Sequence, residues 1–121
     1  MNIFFKSVRF AWHGIQFAFM GRNFRIQFVI AILVGVAGVV AGLNDIEWSI
    51  ILITIGLVLS IEMINSAIEH IVNMVSPEFH PIAGKVKDLA AGAVLVLSII
   101  ATIIGILIFK DYVILFLDYD L

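Results

Sequence analysis

Residues 89–109 contain no charged side chain, and two earlier stretches are almost as apolar. A run of about 20 apolar residues is what an α-helix needs to cross the hydrocarbon core of a bilayer. The chain is 63% hydrophobic and 13% charged, whereas a soluble domain carries about 25% charged residues. One small core cannot hide this many apolar side chains. The sequence therefore predicts a single all-α membrane domain, and nothing in it indicates a nucleic-acid partner.

Four helical segments are predicted. An interfacial helix covers 3–20, transmembrane helices cover 26–43, 47–75 and 89–109, and a cytoplasmic loop covers 76–88. A basic stripe opposite an aromatic surface is typical of a helix that lies in the membrane interface. In the first segment the polar residues recur at steps of three and four: Lys6, Arg9, His13 and Gln16. A soluble amphipathic helix packed on a core is the alternative interpretation.

The positions of lysine and arginine predict the orientation. Four of these residues precede the first span and two lysines lie in the 76–88 loop, but none occurs in the 44–47 turn. Because positive residues accumulate on the cytoplasmic side, the N-terminus and the 76–88 loop are expected to be cytoplasmic.

Two details of the spans carry structural predictions. Gly38 and Gly42 have the GxxxG spacing that lets membrane helices approach closely, although this spacing is common by chance. Trp48 has the position of an interface anchor.

The aromatic, acidic tail after Lys110 has no functional interpretation.

Two carboxylates and an amide interrupt the long third helix. Glu62 and Glu69 point almost the same way, about 10 Å apart along the helix, and Asn65 lies between them. A charged side chain at the centre of a span costs about 2.5–3.5 kcal/mol. One interpretation is a hydrogen-bonded seam between helices. The other is a catalytic or ion site, because these oxygens suit Mg²⁺ and a free carboxylate can act as a general base.

Lys87 and Asp88 favour the second interpretation. They lie just before the last span and at the same predicted membrane face as Glu69. A lysine there can meet a phosphate, and an aspartate can orient it. The chain has neither a GxxxxGK[ST] phosphate loop nor the glycine-rich motif of protein kinases, so any nucleotide is bound in another way.

The segments EMINSAIE (62–69) and SPEFHPIAGKVKDLAAGAV (76–94) resemble the small prokaryotic diacylglycerol kinases, a family that includes the undecaprenol kinases. The resemblance extends over nearly the whole chain. It implies a homotrimer in the bacterial cytoplasmic membrane, with active sites shared between neighbouring subunits. The implied reaction transfers the γ-phosphoryl group of MgATP to a lipid alcohol.

The same resemblance implies a role for each motif residue. Glu62 matches the catalytic base, and Asn65 matches the amide beside it. Glu69 matches a carboxylate that holds Mg²⁺. Lys87 and Asp88 match the pair on the nucleotide side, with Lys87 on phosphate.

One departure from the family pattern removes an expected metal ligand. The family places a second metal-binding glutamate in a stretch similar to ERNFRIH, whereas this chain reads GRNFRIQ over 21–27. Gly21 therefore replaces the acid, and Gln27 stands where histidine is common. The metal could be held more weakly, or Asn23 or water could substitute. The alternative is a catalytically impaired relative, or a small structural or lipid-binding membrane protein.

The lipid acceptor stays open between two classes. The His80–Pro81 pair and the compact N-terminus favour undecaprenol, because these features are more similar to the undecaprenol kinases. Either lipid would lie against the spans and present a hydroxyl near Glu62. Composition does not separate them.

Overall fold

The computed structural model describes residues 2–119, which contain four α-helices. Helix α1 spans Ile3–Ala18, α2 Arg22–Ala41, α3 Asp45–Val75 and α4 Pro81–Tyr119. The last three are long and apolar enough to cross a membrane. The predicted all-α class with three candidate spans is therefore confirmed.

Helix α3 is the centre of the arrangement, because α2 and α4 both pack against it. Short connections at 42–44 and 76–80 make α3 antiparallel to each neighbour. Few apolar side chains are buried among the described residues: Phe24, Leu43, Ile51 and Ala90. Large apolar side chains elsewhere on the three long helices are mostly exposed. Lipid or further protein must cover such a surface.

Helix α1 has no buried residue. Aromatic contacts at its C-terminal end connect it to the other helices. Phe17 meets the ring of His70 on α3 edge-on, with ring centres 5.5 Å apart. Phe19 makes similar contacts with Phe24 and Phe28 of α2. These contacts hold the α1–α2 corner beside the C-terminal half of α3. The interfacial location of α1 stays a prediction.

The α2–α3 connection is fixed by backbone caps on both sides. Gly42 ends α2 in the left-handed region, with φ of 73°, where a side chain would be strained. The N–H groups of Gly42 and Leu43 donate to the carbonyl of Gly38 at 3.0 and 3.2 Å. Asn44 and Glu47 then form a reciprocal capping box at the start of α3. The turn is therefore specified locally.

Gly38 and Gly42 have different roles, which modifies the GxxxG prediction. Gly42 ends the helix, whereas Gly38 is buried beneath Trp48. A Cβ atom at Gly38 would lie 2.7 Å from Cη2 of Trp48 and 3.0 Å from Cδ1 of Leu43. Trp48 is half-buried by this contact. Its place at the membrane interface stays a prediction, and packing on Gly38 is its observed contact.

Helix α4 begins inside the segment that the sequence predicted as a loop over 76–88. Residues 81–88 are helical. Pro81 occupies the first helical position, where its missing N–H is no loss. His80 caps the helix, because its Nδ1 accepts a hydrogen bond from the N–H of Ile82 at 3.2 Å. The His80 carbonyl also accepts the first helical bond, from the N–H of Gly84. The connection between α3 and α4 is therefore limited to residues 76–80.

Helix α4 also continues past its predicted end at Phe109. It has 39 residues and is therefore about 58 Å long, compared with about 30 Å for the hydrocarbon core. Lys110 and Asp111 do not interrupt it. Tyr112 donates a hydrogen bond of 2.6 Å to Oε1 of Glu47, which ties this part of α4 to the start of α3. The tail is thus helical through Tyr119, and residues 120–121 lie outside the described residues.

We predict that Gly38→Ala destabilises the α2–α3 pair. The added methyl group would overlap Trp48, and overpacking of this kind costs about 1–3 kcal/mol. Thermal unfolding in detergent or lipid should therefore begin at a lower temperature than in the wild-type protein.

Gly35→Ala is the matched control. Gly35 lies on the same helix, and a Cβ atom there meets nothing within 4 Å in this chain. Its unfolding temperature should stay at or above the wild-type value. Equal effects of the two substitutions would contradict the packing role of Gly38.

Candidate active site

Two polar side chains of α3 are buried between apolar helices. Glu62 is 4% exposed and Asn65 is 6% exposed, so each is enclosed about as fully as Phe24 at 5%. They are separated by about one turn and share a face of the helix. Because removing a carboxylate from water is strongly unfavourable without partners, the contacts around Glu62 decide what the site can do.

Gln27 of α2 supplies a hydrogen bond to Glu62. Its Nε2 donates to Oε2 of Glu62 across 3.4 Å. Gln27 is also an isolated polar residue within the otherwise apolar stretch 26–41. The sequence pattern indicates Gln27 only as a departure from the common histidine and does not predict its contact with Glu62. A lone polar side chain in a span was the available signal.

Asn65 connects the buried part of the site to its exposed end. Its Nδ2 donates to Oε1 of Glu69 at 3.4 Å, and Glu69 is exposed. The orientation of the amide follows from this contact, because an ionised carboxylate only accepts hydrogen bonds. The buried Oδ1 of Asn65 has no hydrogen-bond partner among residues 2–119. An unpartnered buried oxygen calls for a further donor or a cation.

Lys87 and Asp88 lie at the same end of the bundle as Glu69. Glu69 and Lys87 are each about two turns from the 76–80 connection, on antiparallel neighbours. Lys87 is half-buried and Asp88 is exposed. The hydrogen bonds that join the polar residues of α2 and α3 include neither of them. The described chain therefore forms two hydrogen-bonded pairs, Gln27–Glu62 and Asn65–Glu69, and leaves Lys87 and Asp88 outside both.

The oxygen atoms of Asn65 and Glu69 fit part of a Mg²⁺ site. Mg²⁺ usually keeps several waters and is held by one or two carboxylates with substrate phosphates. No cluster of three or more carboxylate, histidine or cysteine residues suited to a metal occurs within residues 2–119. Position 21 is the N-cap of α2. Because it is a glycine, it offers no side chain to a metal. A complete protein cage is thus absent from the described part of one chain.

An apolar groove of about 390 Å³ runs along α3 between α2 and α4. Its α3 wall extends from Ile51 to Leu59, and Gln27 lies in its α2 wall. Glu62 lies about one turn beyond Leu59, outside the lining residues, and its hydrogen bond to Gln27 connects it to the wall of the groove. The volume is in the range of small-molecule pockets. An apolar ligand in this groove would approach the buried carboxylate from the lipid side.

A family model described as "Prokaryotic diacylglycerol kinase" matches residues 9–109. This range includes every residue of the candidate site. The chain belongs to this family. Membership confirms the resemblance and the enzyme class that it implied, because the family consists of lipid kinases, which use ATP.

Three relatives of the prokaryotic diacylglycerol kinase family illustrate the similarity. Undecaprenol kinase of Bacillus subtilis is 44% identical over 110 residues, which cover 90% of this chain and 89% of that protein. Diacylglycerol kinase of Synechocystis is 39% identical, over 82% of this chain and 58% of that protein. Diacylglycerol kinase of Escherichia coli is 30% identical over 81% of each chain.

We predict that Asn65→Leu stabilises the protein while it removes kinase activity. Leucine has a similar size and leaves no buried oxygen without a partner, a defect that costs about 1–3 kcal/mol. Allowing for the lost bond to Glu69, the free energy of unfolding should rise by about 1 kcal/mol. Thermal unfolding and lipid phosphorylation measure the two effects on one sample.

Asn73→Leu is the control for stability. Asn73 lies on the same helix but is exposed, so its replacement should change stability by less than about 0.5 kcal/mol. A clear loss of stability in Asn65→Leu would mean that Asn65 is a structural residue with adequate partners.

Proposed function

We propose that this chain transfers the γ-phosphoryl group of ATP to the hydroxyl group of undecaprenol at the cytoplasmic membrane surface. The observation that carries the proposal is the buried carboxylate of Glu62, whose hydrogen-bond partner Gln27 lies in the wall of an apolar groove. A lipid chain in the groove would present its hydroxyl group to Glu62. The 44% identity to an undecaprenol kinase over most of both chains supports this acceptor over diacylglycerol.

Glu62 acts as the general base in this proposal. As the lipid oxygen attacks the γ-phosphorus, the O–H proton passes to the Glu62 carboxylate and ADP leaves. Phosphoryl transfer needs little covalent assistance, so positioning and charge neutralisation carry most of the catalysis. Burial of Glu62 keeps water, a competing acceptor, away from the reacting oxygen.

The remaining motif residues bind the nucleotide end. Asn65 and Glu69 offer oxygen atoms to Mg²⁺, which when bound neutralises charge on the β- and γ-phosphates. Lys87 contacts phosphate, and Asp88 orients the lysine. Lys87 lies on α4, at the same end of the bundle as the exposed Glu69 of α3. This position fits these roles.

We propose a homotrimer with active sites shared between subunits. The large exposed apolar surface of the three long helices supports further association. The separation of Lys87 and Asp88 from the hydrogen bonds around Asn65 supports a site that a neighbouring subunit completes. In the membrane, the N-terminus and the 76–80 connection face the cytoplasm, with α1 along that interface. The exposed basic stripe of α1 supports its interfacial position.

The second candidate is an impaired family member that binds lipid or nucleotide without turnover. Gly21 favours it, because the N-cap of α2 has no side chain to ligate a metal. Purified protein in lipid, supplied with Mg²⁺ and ATP labelled at the γ-phosphate, separates the candidates. Label in undecaprenol in preference to diacylglycerol is expected. Label in neither lipid would exclude the kinase function.

We predict that Glu62→Gln abolishes transfer to the lipid. Loss of a general base lowers rates by about 10²–10⁴-fold, and glutamine keeps the size of the side chain. The assembly should persist, as measured by size-exclusion chromatography. Asp118→Asn is the matched control, because this exposed carboxylate lies near the far end of α4; it should keep wild-type turnover. Normal turnover in Glu62→Gln would remove Glu62 as the base.

We predict that Gly21→Glu lowers the Mg²⁺ concentration required for half-maximal activity, by about 10-fold. The backbone accepts a side chain here, since Gly21 has φ of −80° and the nearest atom to an added Cβ is the Ala18 carbonyl oxygen at 3.4 Å. A Mg²⁺ titration of lipid phosphorylation provides the measurement.

Gly14→Glu is the control for added charge, because a Cβ atom at Gly14 of α1 meets nothing within 4 Å. Its Mg²⁺ requirement should equal that of the wild-type protein. If Gly21→Glu also leaves the requirement unchanged, the metal is held without position 21.

A further inference from the structure

We propose that Gln27 is a positioning residue that orients the carboxylate of Glu62 for proton transfer. The inference rests on the proposed function, in which Glu62 is the general base. Gln27 is half-buried on α2, and its Nε2 donates to Oε2 of Glu62 across 3.4 Å. The contact joins two helices through a pair of polar side chains in apolar surroundings.

The surroundings explain why the contact matters. Glu62 is 4% exposed, so water does not hold its carboxylate in a fixed orientation. A glutamine within the apolar stretch 26–41 is itself unfavourable in a membrane unless it has a polar partner. Each side chain thus satisfies the other, and the amide selects one orientation of the carboxylate.

The geometry assigns separate tasks to the two carboxylate oxygens. Gln27 engages Oε2, which leaves Oε1 for the hydroxyl group of a lipid. Gln27 also lies in the wall of the apolar groove, so it stands where a lipid chain in the groove would reach Glu62. The Gln27 amide therefore lies between the groove that would bind the lipid chain and the carboxylate that would accept the proton.

An amide is chemically suited to this position. It does not ionise, so it does not compete for the proton that Glu62 accepts. It carries both a donor and an acceptor. After the proton arrives at Oε1, Oε2 of Glu62 is a carbonyl oxygen that still accepts the hydrogen bond from the amide N–H. Gln27 can therefore bind Glu62 before and after proton transfer.

Two substitutions that withdraw the donor test the proposal. Gln27→Met keeps the length and replaces the amide with an apolar group, and Gln27→Asn shortens the side chain by one methylene. Each should lower kcat by about 10-fold or more, the effect of losing a hydrogen bond to a charged group. KM for ATP should stay within about 2-fold, because Gln27 does not contact the nucleotide end in this proposal.

Gln27→His tests rescue. The Nε2–H of an imidazole ring reaches about as far as the amide of glutamine, so this variant should recover most of the lost kcat. Ser49→Ala is the control outside the groove, because the exposed Ser49 hydroxyl donates to the carbonyl of Asp45 on its own helix. It should keep wild-type kcat.

All rates are expressed per folded assembly, measured by size-exclusion chromatography. A purely structural role for Gln27 would lower the amount of folded protein and leave kcat unchanged, and that result would overturn the inference. If one of the two withdrawing variants fails to fold, the other decides.

The outcomes for Gln27 and for the proposed function are distinguishable. No transfer by the wild-type protein defeats the kinase proposal itself, and turnover by Glu62→Gln defeats the assignment of the base. An inactive Glu62→Gln together with full kcat in Gln27→Asn or Gln27→Met overturns only the role of Gln27.

Discussion

The burial of a carboxylate between apolar helices is the constraint on which the site depends. Water cannot solvate Glu62 at 4% exposure, so neighbouring helices must supply its polar contact. Gln27 does so from α2, and α4 encloses the opposite side of the groove. The packing of the three long helices therefore determines both the stability of the fold and the polar contacts of the site. A change in the α2–α3 contact changes the surroundings of Glu62 as well.

The residues at the two ends of the bundle have different roles. At the end that holds the 42–44 turn, Trp48 covers Gly38 and Tyr112 donates to Glu47. These contacts fix the register of the helices. At the other end, the oxygen of Asn65 lacks a partner within residues 2–119 and Glu69 is exposed. Polar groups left available in this way are typical of functional sites, which are stabilised from elsewhere in the fold.

Local pattern was sufficient to predict the helices and the polar face of α3. Apolar runs set the spans, and helical periodicity placed Glu62, Asn65 and Glu69 together. The start of α4 lies inside the predicted loop because Pro81 favours a first helical turn, although proline and glycine are typical of loops. The contacts of Gln27 with Glu62 and of Tyr112 with Glu47 join residues far apart in sequence. No local pattern in one sequence specifies such pairs.

In the proposed kinase, the glycine at position 21 changes which groups would hold the metal. Asn65 and Glu69 provide oxygen atoms on α3, and Mg²⁺ completes its coordination with waters and phosphates when protein ligands are few. A site with fewer protein ligands has low affinity for the free ion and gains most of its binding from the nucleotide. The proposed kinase would then receive its metal together with ATP. In that case, the hydrogen bond between Asn65 and Glu69 is the part of the site that must be in place beforehand.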